Sequence, residues 1–151
     1  MRSTGRLLKI LIYWFGLIQV LHLMVLIRAG FIYLNQHTIV FPAAPPVLGW
    51  TDQSMHFLLA MGIVDSLIIV CSLIAVFGFQ TGKSWFPLSG LCASGASIVT
   101  ALVFALGTIP STAWQANPWA YAIISILFVP HIFLFMKLYA LLSHQLQKVS
   151  R

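Results

Sequence analysis

Asp65 lies in the middle of a long apolar stretch of the sequence, between the segments MHFLLAMGIV and SLIIVCSLIAV. An ionisable side chain is costly in the middle of a membrane, so such a residue invites a functional hypothesis. A carboxyl group in this position can bind a cation, relay a proton or act as general acid and base on a lipophilic substrate.

Five further polar residues lie inside apolar stretches and are candidate partners of Asp65: Gln19, His22, Ser94, Ser97 and His131. At a rise of 1.5 Å per residue, each of them lies about 12–18 Å from a membrane surface, near the depth of Asp65. The sequence therefore predicts a polar pocket around Asp65, with His22 or His131 as its proton or charge partner.

A purely structural interpretation of these residues stays open beside the functional one. Asp65, protonated or paired, could simply form hydrogen bonds across helices to Gln19, His22 or serine hydroxyls. Such interhelical bonds are common in membranes and contribute about 0.6–2 kcal/mol each.

The composition indicates the class of protein fold that must position these residues. Of the 151 residues, 60% are hydrophobic and 7% are charged, which is too apolar for a soluble domain of this size. Four segments are long enough to cross a bilayer, at residues 7–34, 53–79, 85–106 and 118–142. We therefore expect an all-α integral membrane protein, a single domain built as an antiparallel bundle of four transmembrane helices.

The segment ends carry helix start signals. Asp52 is a candidate N-cap for the second span, and Ser84 is one for the third, with Pro87 in the first turn. Asn117 followed by Pro118 predicts the start of the fourth span. The apolar, proline-rich loop at residues 35–51 cannot continue a helix; it either rests on the outer surface or covers the bundle mouth as a lid.

The cations predict the orientation of the bundle. Seven of the eight Lys and Arg residues fall on one side of the four spans: Arg2, Arg6, Lys9, Lys83, Lys137, Lys148 and Arg151. The positive-inside rule then places both termini in the cytoplasm. We interpret these cations as topology signals and lipid headgroup contacts and expect no nucleic-acid binding; a bacterial plasma (inner) membrane suits the bias.

A stripe of small residues, Gly90, Ser94, Ser97 and Ala101, continues to Ala105 along the third span. Small residues let helix backbones approach closely in a membrane. We expect this small-residue stripe to pack inside the bundle, and its use as a homodimer face is the alternative.

A second polar group, Arg28, Asp52 and His56, lies near the outer interface. Arg28 and Asp52 could form an ion pair, although capping and snorkelling explain them equally well. His56 is nine residues before Asp65, half a turn out of phase, so the two should face different neighbours. Trp114 and Tyr121 belong to the outer aromatic belt.

Redox, cofactor and enzyme signatures are weak in this sequence. Cys71 and Cys92 do not form a CxxC pair, and we expect both to be small buried thiols. We predict no metal site, and a b-type haem between His22 and His131 has only the two histidines in its favour.

These observations favour a non-enzymatic role through interaction. We expect either an accessory subunit of a membrane complex or a binder of a lipophilic ligand in a pocket near Asp65. Two alternatives remain: a small transporter coupled to protons or ions through Asp65, and an intramembrane enzyme with Asp65 and a histidine as acid and base.

Overall fold

A computed structural model of the chain describes residues 5–40, 45–46, 48–110 and 112–149. Arg2 and Arg151, which entered the orientation prediction, and residues 41–44 and 47 of the predicted outer loop lie outside the described residues. The helices are α1 (Arg6–Gln36), α2 (Asp52–Gln80), α3 (Phe86–Thr108), α4 (Ala113–Ala116) and α5 (Pro118–Val149).

The predicted membrane bundle is confirmed. Within the described residues, α1, α2, α3 and α5 are each long and apolar enough to cross a membrane. Their bounds agree with the predicted spans within two residues, except that α5 continues seven residues past the predicted end at residue 142. The protein is therefore a multi-pass membrane protein whose apolar helices contact lipid.

The four long helices form a ring. Helix α3 packs against α2 and α5, and α1 packs against the same two helices, so α1 and α3 occupy opposite corners. The interior has two apolar clusters, one at each end. The cluster near the start of α1 contains Leu8, Leu11, Ile12, Phe15, Ala75, Phe86, Ala93, Leu134 and Leu138. The opposite cluster contains Ile39, Leu58, Met61, Phe104, Ala113 and Tyr121.

The observed helix starts agree with the sequence-based prediction for one helix and correct it for two. Helix α5 begins at Pro118 as predicted. Thr51, and not Asp52, caps α2, because the Thr51 hydroxyl accepts a hydrogen bond from the Ser54 amide at 3.2 Å. Asp52 lies in the first turn, where a carboxylate is favourable beside the helix N-terminus. The residue before α3 is Trp85, not Ser84, and its side chain makes no capping bond.

The described part of the outer loop folds onto the bundle. Ile39 and Pro46 are buried, and Ile39 belongs to the apolar cluster that contains Phe104. The indole of Trp50 donates a hydrogen bond to the Ile39 carbonyl at 2.8 Å, which closes this part of the loop. These contacts favour the lid interpretation over a loop that rests loosely in the headgroup region.

The small-residue stripe on α3 faces the interior. Gly90, Ser94 and Ser97 are buried, and Ala101 is half-buried. A Cβ atom on Gly90 would lie 3.0 Å from a methyl carbon of Leu138, so this glycine permits the close packing of α3 on α5. The stripe therefore serves intramolecular packing, and little of it is open to a second copy.

The two cysteines correct a further expectation. Cys71 and Cys92 are free thiols on the exposed surface of the bundle, not buried in it. Because the exposed surface of a membrane-spanning helix meets lipid, an apolar thiol has no need to be inside the bundle.

Candidate functional site

Asp65 lies on the buried face of α2. The buried residues of this helix recur at spacings of three and four, from Leu58 and Met61 through Asp65 to Ile69 and Ser72. This is the period of a single helix face, so the carboxyl group points to the bundle interior. Asp65 is 8% exposed and does not face lipid.

His22 of α1 is the polar neighbour of Asp65. Its Nε2 atom lies 3.6 Å from Oδ2 of Asp65, which is the range of an ion pair but longer than a direct hydrogen bond. The His22 ring also meets Phe128 of α5 edge-to-face, with ring centroids 6.4 Å apart. Three helices therefore come together around this imidazole.

A hydrogen bond crosses the bundle one turn away from His22. The side-chain amide of Gln19 donates to the Ser97 hydroxyl over 3.4 Å and links α1 to α3 across the ring. Ser97 in turn donates to the Ala93 carbonyl of its own helix at 3.0 Å. Gln19 is 1% exposed, so this bond satisfies a deeply buried amide.

These groups line a cavity of about 320 Å³ between the four long helices and α4. Its walls are mostly aliphatic and aromatic side chains. The polar wall residues are Gln19, His22, Asp65, Ser97, Thr100, Trp114, Tyr121 and Ser125. A volume above about 300 Å³ with apolar walls and a few convergent polar groups is typical of small-molecule sites.

Tyr121 is one of the polar cavity residues, together with Trp114 and Ser125, that the sequence analysis did not place in a pocket. It is 1% exposed, and its hydroxyl has no hydrogen-bond partner within the part of the chain that the structure describes. Its ring stacks on Trp114, with centroids 4.6 Å apart, and the Trp114 indole donates to the Thr108 hydroxyl at 3.0 Å. Tyr121 and Phe128 are seven residues apart and therefore lie on one face of α5. This spacing is the sequence signal that could have placed Tyr121 inside the bundle.

A second cavity of about 220 Å³ lies between α1 and α2 beneath the outer loop. Tyr33, Ile39 and Leu58 contribute to its walls. Asp65 and Phe104 line both cavities, so these two residues lie between the two spaces.

Two predicted site residues lie outside the main cavity. His131 is fully buried, packed between Phe15 and Phe128 with ring centroids 5.0 and 4.8 Å away. Its ring nitrogens make no well-formed hydrogen bond to the described residues. Ser94 is also fully buried, and it donates to the Leu91 carbonyl of its own helix at 3.1 Å.

The haem hypothesis loses support from this arrangement. A haem held by two histidines needs both imidazoles at the edge of one space. His22 lines the cavity, whereas His131 does not and is enclosed by aromatic rings. Among the described residues, no group of three His, Cys, Asp or Glu is arranged to hold a metal ion.

The outer polar group does not assemble into a site. Arg28, Asp52 and His56 are all exposed. The ion pairs found among the described residues do not include one between Arg28 and Asp52. His56 and Asp65 face different surroundings, as their spacing predicts.

Comparison with known protein families, with curated proteins and with solved structures found no match for this chain.

Proposed function

We propose that the protein binds a lipophilic molecule in the cavity beside Asp65. The observation that carries this proposal is a cavity of about 320 Å³ with apolar walls, which Asp65, His22 and Tyr121 help to line. Apolar walls favour a hydrocarbon ligand, and the few polar groups would fix its orientation.

The unpartnered hydroxyl of Tyr121 supports binding over a purely structural network. A buried polar group without a partner costs about 1–3 kcal/mol. The hydroxyl is fully enclosed, so a ligand that hydrogen-bonds to it, and thereby removes this cost, must displace neighbouring side chains. The Gln19–Ser97 bond, by contrast, is already satisfied within the bundle and fits a structural role.

Native mass spectrometry of the protein released from mild detergent tests the proposal. We expect the wild-type protein to carry an additional small-molecule mass, which lipid analysis of the same sample then identifies. Ala101 lines the cavity, so Ala101→Phe should fill part of the cavity volume and remove that additional mass. Ala60→Phe, on the exposed face of α2 and outside the cavity, should retain it.

A wild-type protein that carries no additional mass, or an Ala101→Phe protein that retains it, would contradict ligand binding in the cavity. The same spectra test the accessory-subunit role, because a bound partner subunit appears as a larger mass. A homodimer would appear as twice the mass of the chain.

A transporter coupled to protons or ions is the second candidate, and the position of Asp65 between two cavities favours it. A carboxyl group that two spaces share could exchange a proton with each of them. Uptake in proteoliposomes that depends on a pH gradient, and that Asp65→Asn abolishes, would support this role over passive binding. Acid–base catalysis on a lipid-like substrate by Asp65 and His22 stays the third candidate.

We also propose that the bundle resides in a bacterial inner membrane with both ends of the chain in the cytoplasm. The excess of Lys and Arg on one side of the four spans supports this orientation. Thiol labelling of single cysteines placed at residues 36 and 82 would locate the two faces of the bundle.

A further inference from the structure

The main cavity shares part of its wall with the lipid-facing surface of the bundle. Five cavity-lining residues on α1, α3 and α5 are between 39 and 58% exposed: Leu21, Val25, Leu102, Val129 and Ile132. Val129 and Ile132 belong to α5 itself. Since α1 and α3 both pack against α5, the exposed wall residues of α1 and α3 lie on its two sides. The cavity therefore opens sideways into the membrane along this helix.

Helix α5 is suited to bend at this opening. It is the least buried of the four spans. Pro130 lies inside it, between the exposed wall residues Val129 and Ile132. A proline within a helix removes one backbone hydrogen bond and weakens the helix locally, here at the carbonyl of Ile126.

The depth of the polar groups selects the kind of molecule that could reach them. Asp65 lies thirteen residues into α2, about 20 Å along the helix at 1.5 Å per residue, which is near the bilayer midplane. A charged headgroup is unfavourable at that depth, whereas a neutral lipid dissolves in the bilayer centre.

The charge and the hydrogen-bonding groups of the cavity restrict the chemical class of the ligand further. The cavity walls contain no Lys or Arg among the described residues, so nothing there would neutralise a phosphate. The Asp65 carboxyl group makes no direct hydrogen bond to another described residue, and its nearest polar contact is the 3.6 Å approach of His22. It can therefore accept a hydrogen bond from a ligand.

Resting on the function proposed above, we infer that the ligand is an uncharged lipid alcohol taken directly from the bilayer. It passes between the helices beside α5, places its chain against the apolar walls and donates its hydroxyl to Asp65. The protein is thus a receptor for a neutral membrane lipid, and neither phospholipid headgroups nor water-soluble molecules are its ligands.

Trp114 supplies a natural reporter, because its side chain lines the cavity. The probe is a dibrominated C18 alcohol, whose bromine atoms quench nearby indole fluorescence, added to the full chain in phosphatidylcholine nanodiscs. The signal is the quenching of the wild-type protein minus that of Trp114→Phe, which removes the contribution of the other tryptophans.

We expect saturable quenching by the alcohol and only linear, partition-limited quenching by its phosphate monoester or by the matching amine. Val129→Phe, which narrows the opening, should slow the rise of the quenching signal about fivefold or more, since a constricted passage raises the barrier to binding. Ile126→Phe, at an exposed position of α5 that lies outside the cavity wall, should leave the rate unchanged.

The outcomes separate the two proposals. Saturable quenching with a rate that Val129→Phe does not change, or saturation by the phosphate or the amine at equal or lower concentration, would overturn this inference and leave cavity binding intact. Absence of saturable quenching, together with a wild-type protein free of additional mass, would overturn both.

Discussion

His22 of α1 and Asp65 of α2 approach each other inside the bundle, with Nε2 3.6 Å from Oδ2, at the edge of the main cavity. The gap is too long for a direct hydrogen bond and short enough for a ligand hydroxyl or a water molecule to bridge. We therefore expect the pair to add little to the stability of the bundle.

The His22–Asp65 pair should show weak coupling in a double-mutant cycle. We expect His22→Gln and Asp65→Asn to couple by about 0.5–1 kcal/mol in the free energy of unfolding, in the range of interhelical polar contacts in membranes. The coupling free energy is measured by unfolding each variant in mixtures of a mild detergent and dodecyl sulfate. The control cycle pairs His22→Gln with Asp52→Asn, which is exposed at the start of α2 and should be additive. A coupling above about 3 kcal/mol would indicate a tight buried ion pair instead.

The Gln19–Ser97 bond should make Ser97 more important for stability than Ser94. Both hydroxyls donate to a carbonyl of their own helix, but only Ser97 also accepts from Gln19. Ser97→Ala should therefore destabilise the bundle by about 1 kcal/mol more than Ser94→Ala, because it leaves a buried amide without its acceptor. Equal effects in the same unfolding assay would mean that this bond across the ring contributes nothing.

Tyr121→Phe should not destabilise the protein. Its hydroxyl has no partner among the described residues, so removing it costs no hydrogen bond and eliminates a buried polar group. We expect the free energy of unfolding of the ligand-free protein to stay within about 0.5 kcal/mol of wild type or to rise. Trp114→Phe is the comparison, because it loses the bond to Thr108 and should cost about 1 kcal/mol. A large loss in Tyr121→Phe would reveal a partner for the hydroxyl.

Gly90→Leu should destabilise the bundle by about 1–3 kcal/mol, since overpacking a filled interior forces neighbouring side chains to move. Its nearest neighbours are Leu138 and Phe86, and both are buried. Gly62→Leu on α2 is the matched control, because nothing lies within 4 Å of a Cβ atom there. Thermal unfolding in detergent compares the two, and equal midpoints would contradict the tight contact between α3 and α5.

The amino-acid sequence by itself determined the four spans and predicted the depth of the polar groups. Apolar runs of more than 20 residues are long enough to cross a bilayer, and the fixed rise per residue converts position into depth. The start of α5 at Pro118 followed from the same local rules. By contrast, the cap of α2 depended on a competition between Thr51 and Asp52 that composition does not decide.

Only the tertiary structure decided which polar groups meet. His22 and His131 lie at comparable depths, yet one lines the cavity beside Asp65 and the other is enclosed between aromatic rings. Ser94 and Ser97 are three residues apart on one buried face, and only Ser97 reaches Gln19. Depth depends on the distance along a helix, which can be counted directly from the sequence. Neighbours depend on the order of helices around the ring and on the rotation of each helix, and only the packing of the whole bundle sets these.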